Sequence, residues 1–315
     1  FIMIREGTAA RNLQALLPLL TEKYADRCMF CCDDKHPSDL LEKGHIDFNI
    51  REAIRQGVDP IVAVKVACHH AARYFLLNNR GAIAPGYLAD FVVIDNFQDF
   101  NILQVFKKGE ELYDGKAVRE FAAPEIDPYL TEKAHDTFHV SRLAAEDFAE
   151  RRPRGIIGMV PGEIVAVDEG YSDHIAPDWD ILKIAVIESN KHRRDNGIGY
   201  LQGYGLKRGA VATSVSHDSH NIIVVGANES DMAAAANRVA ENRGGIVVME
   251  DGQVRGEVVL SIAGLMSDDT LENVNEALES AKAAAFALGV SRNIDPFMTL
   301  SFMSLPVIPT LRLTT

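Results

Sequence analysis

Cys28-Met-Phe-Cys-Cys-Asp33-Asp34-Lys-His36-Pro37 is an apolar, strand-like run that stops at two adjacent carboxylates. The main chain at a strand's end is rigidly placed, so an acid there is aimed at a fixed point, and the stretch marks a candidate active-site edge. If strand geometry persists past Cys32, Asp33 and Asp34 point to opposite faces. Cys28 and Cys31 fit the C-x-x-C pattern, but side chains three apart in a strand diverge. No second cysteine pair completes a four-ligand zinc site, so buried strand cysteines are the simpler reading.

Upstream of the corner, Ile2 to Ile4 reads as a short strand. Thr8 reads as the N-cap of a helix whose apolar positions Leu13, Leu16, Leu17 and Leu20 recur at helical spacing. Downstream, Ile46, Ile50 and Ile54 repeat every four residues up to Gly57, a helix with a glycine stop. Asp59-Pro60 caps and starts another, carrying Ile61, Val64, Ala67 and Ala71 inward. Strand, helix, strand, helix, helix suits the closing segment of a β/α barrel. In Gly81-Ala-Ile-Ala-Pro85-Gly86-Tyr-Leu-Ala89-Asp90-Phe-Val-Val-Ile-Asp95, a strand from Phe91 to Ile94 is punctuated by Pro-Gly and Asp95-Asn96, with Leu103 to Phe106 towards its hairpin partner. Between about Phe121 and Pro128 the pattern lapses into Ala, Pro and acids, and a domain boundary is expected there. A chain of 315 residues exceeds the usual ~100 to 200 per domain.

In the second half, Gly155 to Val165, Ile181 to Ile187, Val211 to Ser216 and Ile222 to Gly226 read as strands, and Asp231 to Glu241 as an Ala-rich helix. Gly245-Ile-Val-Val-Met-Glu-Asp251-Gly252-Gln-Val is a hairpin, because Asp-Gly tolerates positive φ. A long helix runs from about Asp269 to Gly289. This is a mixed, partly antiparallel α/β pattern. Gly197-Ile-Gly199-Tyr-Leu-Gln-Gly203-Tyr-Gly205 misses G-x-G-x-x-G by one residue and follows Lys191-His-Arg-Arg-Asp-Asn, so it reads as a close-packed loop and not as a dinucleotide site.

Composition narrows the partners. Hydrophobic residues make up 47% and charged residues 24%, the balance of an ordinary globular protein. The net charge of −13 repels phosphates, which argues against nucleic acid and for a small neutral or cationic partner. No apolar run approaches the ~18 residues of a membrane helix, and no signal peptide is visible. The chain opens on Phe1 inside an apolar run, as a truncated chain would. Four cysteines, three of them packed at Cys28, Cys31 and Cys32, form no spaced disulfide framework, which favours a reducing cytoplasm.

Four ordered motifs resemble one family: Arg5-Glu6-Gly7-Thr-Ala-Ala-Arg11-Asn12, Cys32-Asp33-Asp34, Ser214-Val-Ser216-His217-Asp218-Ser219-His220-Asn221 and Leu300-Ser-Phe-Met-Ser-Leu-Pro306-Val-Ile-Pro309. They look like those of the bacterial adenine deaminases of the amidohydrolase superfamily. The resemblance implies an α/β chain in three parts: the C-terminal end of a metal-dependent hydrolase β/α barrel (1–80), part of a small β domain (81–122), and a separate mixed α/β C-terminal domain (123–315). It also implies hydrolytic deamination of adenine to hypoxanthine and ammonia in cytoplasmic purine salvage, by a homodimer carrying a divalent metal. Manganese (Mn2+) is the first expectation, and a carboxylate ligand accommodates Fe2+ or Zn2+ as well. In the superfamily an acid at the end of the eighth barrel strand binds the metal and shuttles a proton between attacking water and leaving group. Asp33 stands at the matching position, as both metal ligand and catalytic acid/base.

Asp34 is then expected to face substrate or support the ligand, and Glu6, with Arg5, to contact substrate or form a helix-entry ion pair. His217 and His220 are candidate substrate or second-metal contacts. The same loop reads equally as one whose polar groups satisfy each other. Its Ser, His and Asp make no triad by adjacency alone. His36 and His45 flank the corner as loop or helix-entry residues, and His69-His70 lies on a helix. No His-x-His is present among the ten histidines, so by the resemblance the chain begins near the seventh barrel strand, ends short of the family's terminus and is inert alone. Residues 1–80 alone are expected to self-associate through open strand edges. Two other readings remain. Another cyclic amidohydrolase, dihydroorotase-like or imidazolonepropionase-like, shares the corner and residues 81–95 but has no counterpart of residues 155–309. A degenerate, non-catalytic binding module would keep the fold without the ligands. Deaminases with H-x-E and P-C-x-x-C are excluded, because neither pattern occurs.

Overall fold

Strand β1 (Ile2–Glu6) lies parallel to β2 (Cys28–Cys32), in register from Ile2 opposite Cys28 to Glu6 opposite Cys32. The computed structural model describes residues 1–8, 11–120, 124–150, 152–161, 163–191 and 195–315. It divides into two units, Phe1–Glu125 and Ile126–Thr315.

In the first unit, parallel pairing requires a crossover. It runs through α1 (Leu13–Leu16) and a 3-10 turn at Leu17–Leu19. Ile4, Cys28 and Phe30 on one face of the strand pair join Leu13, Leu17, Ile50, Ala63 and Val66 in a buried core. Helices α2 (Pro37–Lys43), α3 (Ile46–Arg55), α4 (Pro60–Ala67) and α5 (His69–Tyr74) follow β2. Asp59 caps α4 as expected, its Oδ1 accepting from the N–H groups of Ile61 and Val62 at 2.9 and 3.1 Å. The helix expected to reach Ala71 breaks at Cys68 and restarts. Thr8 is no helix cap: Asn12 holds that position before α1, and the Thr8 hydroxyl is bonded to Asp39. Further on, β3 (Phe91–Ile94), β4 (Ile102–Lys107) and β5 (Glu110–Tyr113) form a three-stranded antiparallel sheet. Phe91 and Phe106, directly opposed, stack with ring centroids 4.6 Å apart.

The second unit opens with α6 (Pro128–His135) and is built on an eight-stranded sheet in the order β13-β12-β10-β11-β8-β9-β6-β7. Its strands are β6 (Arg154–Met159), β7 (Ala166–Ser172), β8 (Leu182–Ile187), β9 (Asn196–Gln202), β10 (Ala210–Thr213), β11 (Ile222–Gly226), β12 (Gly245–Glu250) and β13 (Gln253–Val259). Each consecutive pair is an antiparallel hairpin, and the four hairpins join edge to edge. The joints β10 to β12 and β11 to β8 are antiparallel, whereas β6 to β9 is parallel. Asp251-Gly252 makes the expected tight turn, with φ of 52° and 70°.

Helix α7 (Glu229–Glu241), capped by Asn228, lays Met232, Ala235, Ala236 and Val239 on Ala185, Ala212, Val224 and Val247 of the sheet. Its small side chains allow close approach. Helix α8 (Leu271–Ala287) packs on the opposite face: a Cβ on Gly256 of β13 would stand 2.7 Å from the Ala281 Cα. A short helix α9 (Met298–Ser301) precedes the final segment.

Three strand readings change. The strand from Gly155 ends at Met159, the one from Val211 ends at Thr213 rather than Ser216, and Gly197 to Gln202, expected as loop, belongs to the inner strand β9. Gly197 of β9 is there for clearance. A Cβ on Gly197 would sit 1.9 Å from the Thr314 carbonyl oxygen, whereas one on Gly199 would make only ordinary van der Waals contact, 3.6 Å from Leu313. Of the sequence before β9, residues 192–194 lie outside the described residues.

Candidate functional site

The first unit's candidate residues gather at the C-terminal ends of β1 and β2. The Asp33 N–H donates to the Glu6 carbonyl at 3.2 Å, one step beyond the last strand pair, so the acidic corner continues the strand register. Arg5 lies opposite Cys31, and its Nη1 donates to Asp33 Oδ2 at 2.6 Å. The Arg5 main chain is itself clamped: its N–H donates to Asn12 Oδ1 at 2.7 Å, and its carbonyl accepts from the Asn12 N–H at 2.9 Å. Asp33 remains about half exposed, at 53% of its side chain, so it is oriented by Arg5 while open to a ligand.

Glu6 lies on the other face of the pleat from Arg5, with Ile4. It is buried, and burial pushes its carboxyl up, against the lowering effect of Arg11, Lys35 and Lys43. The structure therefore brings Asp33 together with Arg5 and sets Glu6 apart from that ion pair. The Asp34 carbonyl accepts from the Thr8 N–H at 2.8 Å. His36 and His45 stand at the entries of α2 and α3. His70 is buried, its Nδ1 3.1 Å from the Cys28 carbonyl oxygen, which is a structural role. All four cysteines are free thiols.

A metal would find one carboxylate ligand in Asp33, with one of its oxygens engaged by Arg5. Among the described residues no group of three or more His, Cys, Asp or Glu is placed to hold an ion. The corner fits a metal as one contributor to a ligand set.

In the second unit, residues 214–221 connect β10 to β11. Buried serines fix the loop. The Ser214 hydroxyl donates to the Gly264 carbonyl at 2.6 Å and accepts from the Gly245 N–H at 2.7 Å. The Ser216 and Ser304 hydroxyls are 2.6 Å apart, the His217 N–H donates to the Ser301 carbonyl at 3.3 Å, and the His220 N–H donates to the Ser216 carbonyl at 2.7 Å. The Leu300 to Ser304 motif is thus the loop's partner. Sequence reading singled out both motifs but not their pairing, because serine spacing carries no long-range signal.

His217 lies against Phe302, with centroids 5.0 Å apart, and 6.4 Å from the His220 ring. Burial, then the neighbouring His217, pulls the His220 imidazole down, with Asp218 opposing. Its Nδ1 is buried with no hydrogen-bond partner among the described residues. The loop's buried serines and main chain are satisfied mostly from outside it, by Gly245, Gly264, Ser301 and Ser304, and the His220 Nδ1 is left as a buried polar atom without such a bond.

Comparisons with known proteins agree with this division. Residues 3–112 match the amidohydrolase family and residues 163–315 the adenine deaminase C-terminal domain. An adenine deaminase from Sinorhizobium fredii is 41% identical over 322 residues, covering 99% of this chain and 56% of that protein. One from Kosmotoga olearia is 43% identical over 329 residues, covering 99% and 55%. The chain spans about half the length of the curated relatives it matches. Among solved structures, a beta-aspartyl dipeptidase from Fervidobacterium islandicum AW-1 matches at 26% identity with a TM-score of 0.31, over 38% of this chain and 33% of that one. Among the described residues no helix is long and apolar enough to cross a membrane.

Proposed function

Taking the chain as a relative of the adenine deaminases along 99% of its length, we propose that it serves the hydrolytic deamination of adenine to hypoxanthine and ammonia. In support, β1 and β2 are parallel strands joined by a helical crossover, with the acids at their C-terminal ends, where barrel enzymes keep their chemistry. On this reading residues 1–80 are the end of such a barrel, 81–122 part of a small β domain and 123–315 the C-terminal domain.

Asp33 would hold a divalent metal, Mn2+ being the first to test. When bound, such an ion makes a coordinated water acidic enough to ionise near neutral pH. The chain's own contribution is orientation and proton transfer. Arg5, on Oδ2 at 2.6 Å, fixes the rotation of the Asp33 carboxylate. Asp33 takes a proton from the attacking water as the water oxygen bonds to the amino-bearing ring carbon, then delivers it to the amino nitrogen as the C–N bond breaks. Glu6 and Asp34 are assigned to substrate contact or support of this corner, and His217 and His220 stay a separate candidate on the second unit.

The observation that carries the proposal is the ion pair that aims a half-exposed acid from a strand end. The test is adenine-dependent ammonia release from the full-length, metal-loaded protein. Asp33→Asn is expected to lower kcat by about 10²-fold or more, the scale of general acid/base catalysis. No ammonia from folded, metal-loaded wild type would move the substrate to another cyclic amidine or amide.

A further inference from the structure

Thr8, two residues past the end of β1, makes three ties to the segment after Asp33. Its main-chain N–H donates to the Asp34 carbonyl at 2.8 Å. Its hydroxyl accepts from the His36 N–H at 2.9 Å and donates to Asp39 Oδ2 at 2.5 Å. The bond to a carboxylate is charge-assisted and about twice as strong as a neutral one. Asp39 does not drift, because Lys43 Nζ donates to its other oxygen at 2.6 Å within α2. The hydroxyl thus fastens the loop after β1 to the loop and first helical turn after β2, on either side of the two acids.

We infer that Thr8 is a positioning residue: its hydroxyl clasps these two loops and thereby holds the Asp33–Asp34 corner in its working orientation. The inference rests on the reading of that corner as the site of deamination. Valine has threonine's shape without the hydroxyl, so Thr8→Val would remove both side-chain bonds and leave the His36 N–H and an Asp39 oxygen without them. Serine keeps both. A misplacement of about 1 Å in a reacting group can cost roughly 10²-fold in rate, so a loosened corner shows in kcat before it shows in binding.

The test uses the full-length, metal-loaded protein with Thr8→Val, Thr8→Ser and Asp39→Asn. In Thr8→Val kcat is expected to fall roughly tenfold or more at little-changed KM. Amide hydrogen exchange at residues 34–36 should accelerate while exchange in β3 to β5 stays as in wild type, and Thr8→Ser should restore both readouts. Asp39→Asn, which keeps side-chain shape, should speed exchange in the same segment and stands in if Thr8→Val does not fold. Unchanged exchange at residues 34–36, faster exchange with unchanged kcat, or a serine variant no better than valine overturns the inference. If wild type releases no ammonia from adenine, the deamination reading fails separately. Exchange then decides alone: acceleration in Thr8→Val upholds the clasp as what fixes the corner, and unchanged rates remove it.

Discussion

Glu257 shows how a single side chain sets a pH dependence here. Arg238 on α7 donates from Nε and Nη2 to the two Glu257 oxygens at 2.9 and 3.0 Å, and Asn242 Nδ2 adds a bond at 2.9 Å. The Arg238 bonds foremost, then Asn242, hold the Glu257 carboxyl below its ordinary value against the opposing effect of burial. A carboxyl depressed in the folded state contributes stability that is fully present above its unfolded value near 4.5 and lost as pH falls through the folded value. Glu257→Gln should therefore cost about 1 kcal/mol near neutral pH, a modest figure because both partners are partly solvated. The gap to wild type should close in acid, and urea titrations across a pH series would reveal a gap that stays constant if the ion pair is not its source.

At the scale of elements, β9 shows where sequence reading stops. Runs such as Ile222 to Gly226 and Gly245 to Glu250 are continuous and β-branched, so their strands were legible. The turn at Asp251-Gly252 and the cap at Asp59 were legible because turn and cap chemistry is local. Strand β9 carries Gly197 and Gly199, residues of poor strand propensity, and the reason for Gly197 lies more than a hundred positions away in Thr314. Thr8 failed in the same way. A threonine ahead of a helical pattern reads as a cap, but its hydroxyl finds Asp39, thirty-one positions on. The acids at the end of β2 were visible as a motif, whereas the Arg5 ion pair that orients Asp33 and the serine pairing under the 214–221 loop are contacts between distant segments. Gly197→Ala tests the account of β9: a Cβ against backbone cannot be relieved by a rotamer change. A loss of about 1–3 kcal/mol is expected, with faster tryptic cleavage after Arg312 as the terminal segment lifts. Unaltered stability together with unaltered cleavage would refute the tight packing.

For the whole molecule, the division at Glu125 and Ile126 predicts separable folding. The second unit encloses its own core between the sheet and α7 and needs none of residues 1–125 to complete its strand order. Expressed alone, residues 126–315 should give a single cooperative urea transition. Residues 1–80 alone should self-associate, since β1 and β2 pair with each other and with no third strand among the described residues. A non-cooperative, expanded 126–315 segment on gel filtration would count against independence.

The hairpin-by-hairpin plan of the large sheet bears on how such a protein can change over generations. Because residues 214–221 link two strands already paired to each other, a lengthened or rewritten loop leaves every joint between hairpins in place. What restrains that segment is the serine bonding beneath it and not the topology of the sheet. Its histidines sit on a part of the chain that mutation can rework without rebuilding the scaffold, a favourable place for a lineage to try new chemistry.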